Sequence, residues 1–337
     1  TEDPSKSHQG MGMSTYLGGA WGTTEKNYNK INFTDFNKEA LKETVVGGWA
    51  AIVQHYFVAA WIPDAKAKNH FTSRANDKGE YFIGFSSPDI TVNAGMQNSI
   101  SAKLYAGPKI QDELAKLSTG LDLTVDYGWL WFIAQFLFWL LKNIHGFLGN
   151  WGWSIVGLTI VVKLAFFHLS ATSYKSMANM RRVAPEMQRI KEQYGSDRQK
   201  TSQAMMDLYK KEKINPVSGC LPMLVQMPVF LALYWTLMES VELRHAPWLL
   251  WITDLAAMDK FFVLPLIMGA TMYIQQLLNP QPTDPMQAKV LKIMPVMFTV
   301  FMLWFPSGLV LYWVVNNTLS IVQQWIITRQ IEGAKAK

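Results

Sequence analysis

The side chain best placed to do chemistry is Lys163, in the middle of the apolar stretch Trp151 to Ala171, WGWSIVGLTIVVKLAFFHLSA. A helix of about 20 apolar residues spans the hydrocarbon core of a bilayer. A lysine near its centre costs about 2.5–3.5 kcal/mol on insertion scales, so it faces a wet cavity, finds a partner or snorkels. Lys163 stands several residues from either end, at about 1.5 Å of rise each, which favours the cavity. Thr159 lies one turn away on the same face. In a later apolar stretch Tyr312, Asn316, Ser320 and Gln323 follow at spacings of four, four and three, one stripe of a helix. Gln226 sits early in another apolar run. Amides and hydroxyls of this kind tie helices together at about 0.6–2 kcal/mol each. They also line hydrated grooves, because polar groups facing lipid are costly. The stripe taken with Lys163 points to a groove whose cation attracts acidic residues in an extramembrane segment of another protein.

Catalysis finds little support. His8, His55, His70, His145, His168 and His245 are scattered without HExxH spacing, and no GxSxG, phosphate-binding loop or CxxC pair occurs. No cofactor or metal is implied. The single cysteine, Cys220, excludes an internal disulfide. Glu239 and Glu242 fall near the end of an apolar run, where placement at a membrane–water interface is expected.

The elements that must hold these residues follow from composition. Of 337 residues 17% are charged, against about 25% in an average protein, and the deficit lies in the second half. A water-soluble module over residues 1–125 followed by a membrane module is expected. Residues 1–13 read as a loose leader, and the chain, starting at Thr1, reads as a fragment with any targeting element outside it. Trp49 to Ile62, Tyr81 to Phe85 and Ser99 to Tyr105 carry strand signals, with Pro108 to Leu117 as a short helix. This is antiparallel β structure, part of a sandwich. Residues 126–150 are rich in Trp, Phe and Leu and suit an interfacial helix. Within 151–337 the spans expected are about 151–171, 217–243, 261–278, 290–305 and 309–327, the last two joined by Pro306-Ser307-Gly308. Asn279 to Lys289 is a short inner loop with Pro280, Pro282 and Pro285.

Between the first two spans, residues 172–215 are basic, with Arg181, Arg182, Arg189, Lys210 and Lys211 among the cations. The positive-inside rule places them in the cytoplasm, together with the tail carrying Arg329, Lys335 and Lys337. Met177, Met180, Ala184, Met187, Ala204, Met205 and Leu208 have helical spacing, and Tyr194 to Asp197 is a turn, so the segment is a helical hairpin. Its methionines suit packing between the two helices or an adaptable surface for apolar clients. The formal charge of +6 clusters beside the apolar spans, which favours anionic lipid head groups over any specific nucleic acid.

Three stretches resemble the bacterial YidC membrane-protein insertases: Asn215 to Leu255 (NPVSGCLPMLVQMPVFLALYWTLMESVELRHAPWLLWITDL), Thr283 to Asn317 (TDPMQAKVLKIMPVMFTVFMLWFPSGLVLYWVVNN) and Leu121 to Phe138 (LDLTVDYGWLWFIAQFLF). The resemblance implies an α-helical membrane protein: five core spans, a cytoplasmic hairpin, and the later part of an all-β periplasmic supersandwich. It implies a non-enzymatic insertase and chaperone of the bacterial inner membrane, with a groove open to cytoplasm and lipid. Nascent membrane-protein clients, the Sec translocon, the ribosome and the signal recognition particle pathway are the partners it implies. The family's groove charge falls at Lys163, where arginine is typical; lysine keeps the charge and loses the planar donor fork. Thr159 matches the family position on that helix, and the family's aromatic pair falls at Tyr312 and Trp313, where two tyrosines are common. A transporter or channel with a polar intramembrane cavity is the other class considered, for which internal repeats are a frequent mark that this sequence lacks.

Overall fold

A computed structural model describes residues 15–333 apart from 39, 196, 213, 216–220 and 280–284. Residues 1–13, Cys220, Pro280, Pro282, Lys335 and Lys337 therefore lie outside the described residues. The chain divides into two compact units, one of Thr1–Gly128 with Glu239–Glu242, the other of Trp129–Met238 with Leu243–Lys337.

The first unit is an antiparallel β sandwich. Its strands are β1 (Gly18–Gly22), β2 (Asn29–Ile31), β3 (Lys42–Val46), β4 (Trp49–Val53), β5 (Phe57–Pro63), β6 (Lys68–Ala75), β7 (Tyr81–Ser86) and β8 (Ala102–Pro108). One sheet runs β2-β1-β4-β5-β8 and the other β3-β6-β7. Along β6 Asn69, Phe71 and Ser73 are buried while Lys68, His70, Thr72 and Arg74 are exposed, the period-2 pattern of a strand with one covered face. Leu41, Ala50 and Phe71 form a core with Trp21, Val45, Ile83 and Phe85, drawn from both sheets. Gly47 and Gly48, with φ of 69° and 85°, turn the chain from the smaller sheet into the larger. A Cβ on Gly48 would meet the Gly22 carbonyl oxygen at 2.7 Å.

Two expectations shift here. The Trp49 to Ile62 run is a hairpin: β4 and β5 pair from Ala50 with Trp61 to Val53 with Val58, and the Gln54 N–H donates to the Phe57 carbonyl to close the turn. The last strand begins at Ala102, in register with Pro63, and ends at Pro108 opposite Phe57. Pro108 thus closes an edge strand, where a missing N–H is tolerated, and helix α1 is Gln111–Leu117.

The second unit is helical: α2 (Trp131–Leu148), α3 (Trp151–Ala165), α4 (Phe167–Tyr194), α5 (Arg198–Lys211), α6 (Leu221–Glu239), α7 (Val263–Leu278), α8 (Pro285–Met302) and α9 (Ser307–Gly333). Gly149 ends α2 at φ 65°, and the Asn150 side chain caps α3 by accepting from the Trp153 N–H. Asp197 caps α5 through the N–H groups of Gln199 and Lys200. Helix α9 packs on α3, α4 and α7 and is the centre of the unit.

The span expected over 151–171 is broken. Helices α3 and α4 meet at Phe166 with a bend of 68°, so the hairpin's first helix begins at Phe167 rather than at 172. The Gln323 amide donates to the Phe167 carbonyl at this bend. Helix α6 stops at Glu239, followed by a 3-10 turn, and α8 reaches back to Pro285, a residue suited to the first helical position. Ser307 and Gly308 belong to the first turn of α9, and the chain reverses before them, where Pro306 bridges Met258. Among the described residues no single helix is long and apolar enough to cross a membrane; α3 with α4 passes as a bent pair, while Leu224–Glu239 and Val263–Leu278 are shorter apolar helices.

Candidate functional site

Lys163 borders a cavity of about 210 Å³ walled by α3, α4, α6, α7 and α9. Its ammonium donates to the Ser320 hydroxyl at 2.7 Å, and that hydroxyl donates to the Asn316 carbonyl at 2.8 Å. Among the described residues no carboxylate pairs with Lys163. Ser320 and Asn316 are almost fully buried, one turn apart on α9, and both line the cavity with Gln226 and Trp313.

The remaining expected residues are placed differently. Thr159 is buried one turn from Lys163, but its hydroxyl donates to the Ile155 carbonyl of its own helix and it is not in the cavity wall. Tyr312 stands behind the wall, 1% exposed, and accepts a hydrogen bond from the Gln226 amide. Burial and this bond fix Gln226 at the edge of the cavity. Trp313 is held between Phe230 and Phe298, with ring centroids 5.1 and 5.8 Å away, and its buried indole N–H has no partner among the described residues. Gln323 lies at the α3–α4 bend instead of in this cavity.

Sequence reasoning missed part of the wall. Ser170, Tyr174 and Met177 of α4 line it; their spacing of four and three was visible, but Ser170 falls in the last turn of the expected first span and the other two where charge density suggested the hairpin. A second polar row joins α9 to α7. Asn317 donates to the Thr271 hydroxyl, Gln324 donates to the Leu278 carbonyl and the Asn279 side chain, and Gln275 donates to Gln324. Gln275, Asn279 and Asn317 reach the same cavity. The site is therefore a pocket in which one cation, Lys163, and several amides and hydroxyls are set among apolar side chains.

In the hairpin Arg181, Arg182, Arg189, Lys210 and Lys211 are all exposed, and Arg182 pairs with Glu212. Val183, Leu208 and Ile214 form its core, with Met180 and Met187 packed against them. These two methionines thus take the packing role. Glu239, expected at an interface, is instead buried in the first unit, 3.0 Å from the Lys109 ammonium, which also donates to the Thr124 carbonyl at 3.2 Å. Among the described residues no group of three His, Cys, Asp or Glu side chains could hold a metal.

The chain was compared with known proteins. Residues 143–335 match the family model described as 60Kd inner membrane protein, and residues 1–140 match that of the YidC periplasmic domain. The protein named membrane protein insertase YidC of Stutzerimonas stutzeri (strain A1501) is 65% identical over 334 residues, 99% of this chain and 60% of that protein. Its namesake in Ectopseudomonas mendocina (strain ymp) is 64% identical over 332 residues, 98% of this chain and 57% of that protein. The chain thus spans 57–60% of the length of these relatives. A crystal structure described as an active YidC insertase with the first transmembrane domain resolved has a TM-score of 0.51 at 22% identity, covering 84% of this chain and 74% of that one, a likeness of fold. With more than half of its residues matched by one family model and the preceding 140 by the companion domain, the chain belongs to the 60Kd inner membrane protein family, of the kind that carries a YidC periplasmic domain.

Proposed function

We propose that this chain works as a membrane-protein insertase and chaperone of the bacterial inner membrane, with the β unit in the periplasm and the hairpin and C-terminus in the cytoplasm. The observation that carries the proposal is the Lys163 ammonium, which among the described residues is held by a hydroxyl and no carboxylate, at the wall of a cavity lined by amides and hydroxyls as well as apolar side chains. An acidic residue on the polar outer segment of a client is drawn to this cation. Two unit charges 4 Å apart attract by about 4 kcal/mol at the effective dielectric of a protein surface. Gln226, Asn316 and Ser320 replace the water that the client's polar groups give up, and its apolar segment then moves into lipid. Relatives 64–65% identical bear the insertase name, which supports the reading. Contacts with the Sec translocon, the ribosome, the signal recognition particle pathway and anionic lipids are part of the proposal, with the exposed cations Arg181, Arg189, Lys210 and Lys211 as the surface for the last three.

The test is client insertion in cells depleted of their own insertase. Lys163→Arg is expected to support insertion and Lys163→Glu to abolish it for clients with acidic outer segments. Equal activity of the two variants would remove the electrostatic step.

A further inference from the structure

A second cavity, of about 260 Å³, lies on the other side of Lys163, between α3, the start of α4 and α9. The lysine belongs to both walls. Its ammonium is turned to Ser320, so the second cavity is walled by Ile160, Leu164, Phe167, Val322 and Ile326, with Gln323 already engaged by the Phe167 carbonyl. Leu164 is 66% exposed and the other four named residues are exposed as well. The cavity is thus an apolar slot opening on the outer face of the helical unit.

Val322, Ile326 and Arg329 follow at spacings of four and three, so Arg329 continues the stripe that forms the slot. Its guanidinium carbon sits 4.3 Å from the centroid of the Trp325 ring, a cation–π contact that holds the charge near the helix surface. An apolar slot with a cation on the same stripe complements an amphiphile with an acidic head. We propose that the slot between α3 and α9 binds one acidic phospholipid, an acyl chain lying along Leu164, Val322 and Ile326 and the phosphate resting on Arg329. An acyl chain there packs against the stem of Lys163 and leaves the ammonium facing the polar cavity.

The assignment rests on the membrane reading above but on no step of insertion. It is tested by native mass spectrometry of the full chain, without client, released from nanodiscs of phosphatidylglycerol or phosphatidylcholine. One phosphatidylglycerol per chain is expected to survive activation that strips phosphatidylcholine. Arg329→Gln lowers phosphatidylglycerol retention about fivefold, the factor for one cation at a membrane surface, and Arg329→Lys keeps it. Ile326→Trp, which fills the slot, also lowers phosphatidylglycerol retention. Equal retention of the two lipids by the parent chain, or unchanged retention in Arg329→Gln and Ile326→Trp, would overturn the assignment. Because insertion is assayed separately, failure here leaves the Lys163 test untouched, and the reverse holds.

Discussion

Two lysines, one buried in the β unit and one half-buried in the helical unit, are handled in opposite ways. Lys109 in the β unit is 2% exposed and meets the Glu239 carboxylate and the Thr124 carbonyl. Burial pulls its ammonium below the ordinary lysine value, and the charge and hydrogen bond of Glu239 oppose that pull. Lys163 in the helical unit has a hydroxyl and a cavity. A hydrogen bond to a charged group contributes about 1.5–3 kcal/mol, and this one leaves part of the charge of a half-buried ammonium facing the cavity. The first lysine is already paired with a carboxylate, and an incoming one has little to gain there. The second keeps unspent attraction, and a built-in carboxylate would cancel the field that draws a client. What separates a structural cation from a functional one in this chain is therefore the partner that the fold supplies.

The largest effect expected from breaking this contrast is on stability. Lys109→Met leaves Glu239 buried without its cation, and removing one member of a buried pair costs about 3–5 kcal/mol. Urea unfolding followed by a probe in the β unit reads it. Lys109→Met combined with Glu239→Leu recovers most of the loss, because apolar replacement of a whole buried pair is neutral or stabilising by about 1–4 kcal/mol. A single variant as stable as the parent would mean that water reaches the pair. Lys163→Met should show the reverse pattern. It strands no opposite charge, so unfolding is unchanged or slightly harder. Client insertion falls at least tenfold, equivalent to about 1.4 kcal/mol. A stability loss as large as that of Lys109→Met, with insertion intact, would make Lys163 structural too.

How far these sites could be read from sequence depended on whether their spacing was local. Lys163, Asn316 and Ser320 could be picked out because a charge and a four-residue polar repeat contrast with apolar neighbours, and the cavity brings them together. Asp197 as a cap and the alternation of β6 were equally visible. The Lys109–Glu239 pair joins residues 130 apart, and nothing near either one announces the other. Asn317 and Gln324 belong to a second polar row on α9, seven residues apart, that faces Thr271 and Gln275 of α7. Which of two polar rows meets which neighbour is settled by helix packing. The bend at Phe166 carries no proline or glycine beside it, so sequence offered no reason to end the helix there.

The smallest effect completes the comparison with a third cation. Arg182 pairs with Glu212 across the hairpin, with side chains 41% and 29% exposed. Both groups keep much of their water, salt screens their attraction, and holding two long side chains costs entropy, so such a pair contributes about 0–1 kcal/mol. The hairpin is held instead by Val183, Leu208 and Ile214. Arg182→Ala is thus expected to leave urea unfolding within that range, and the small difference should fade as salt is raised toward 1 M, where the Debye length falls to about 3 Å. A loss near that of Lys109→Met, insensitive to salt, would show that the charge is shielded from solvent, and the ordering of the three cations by the partner each is given would fail at its exposed end.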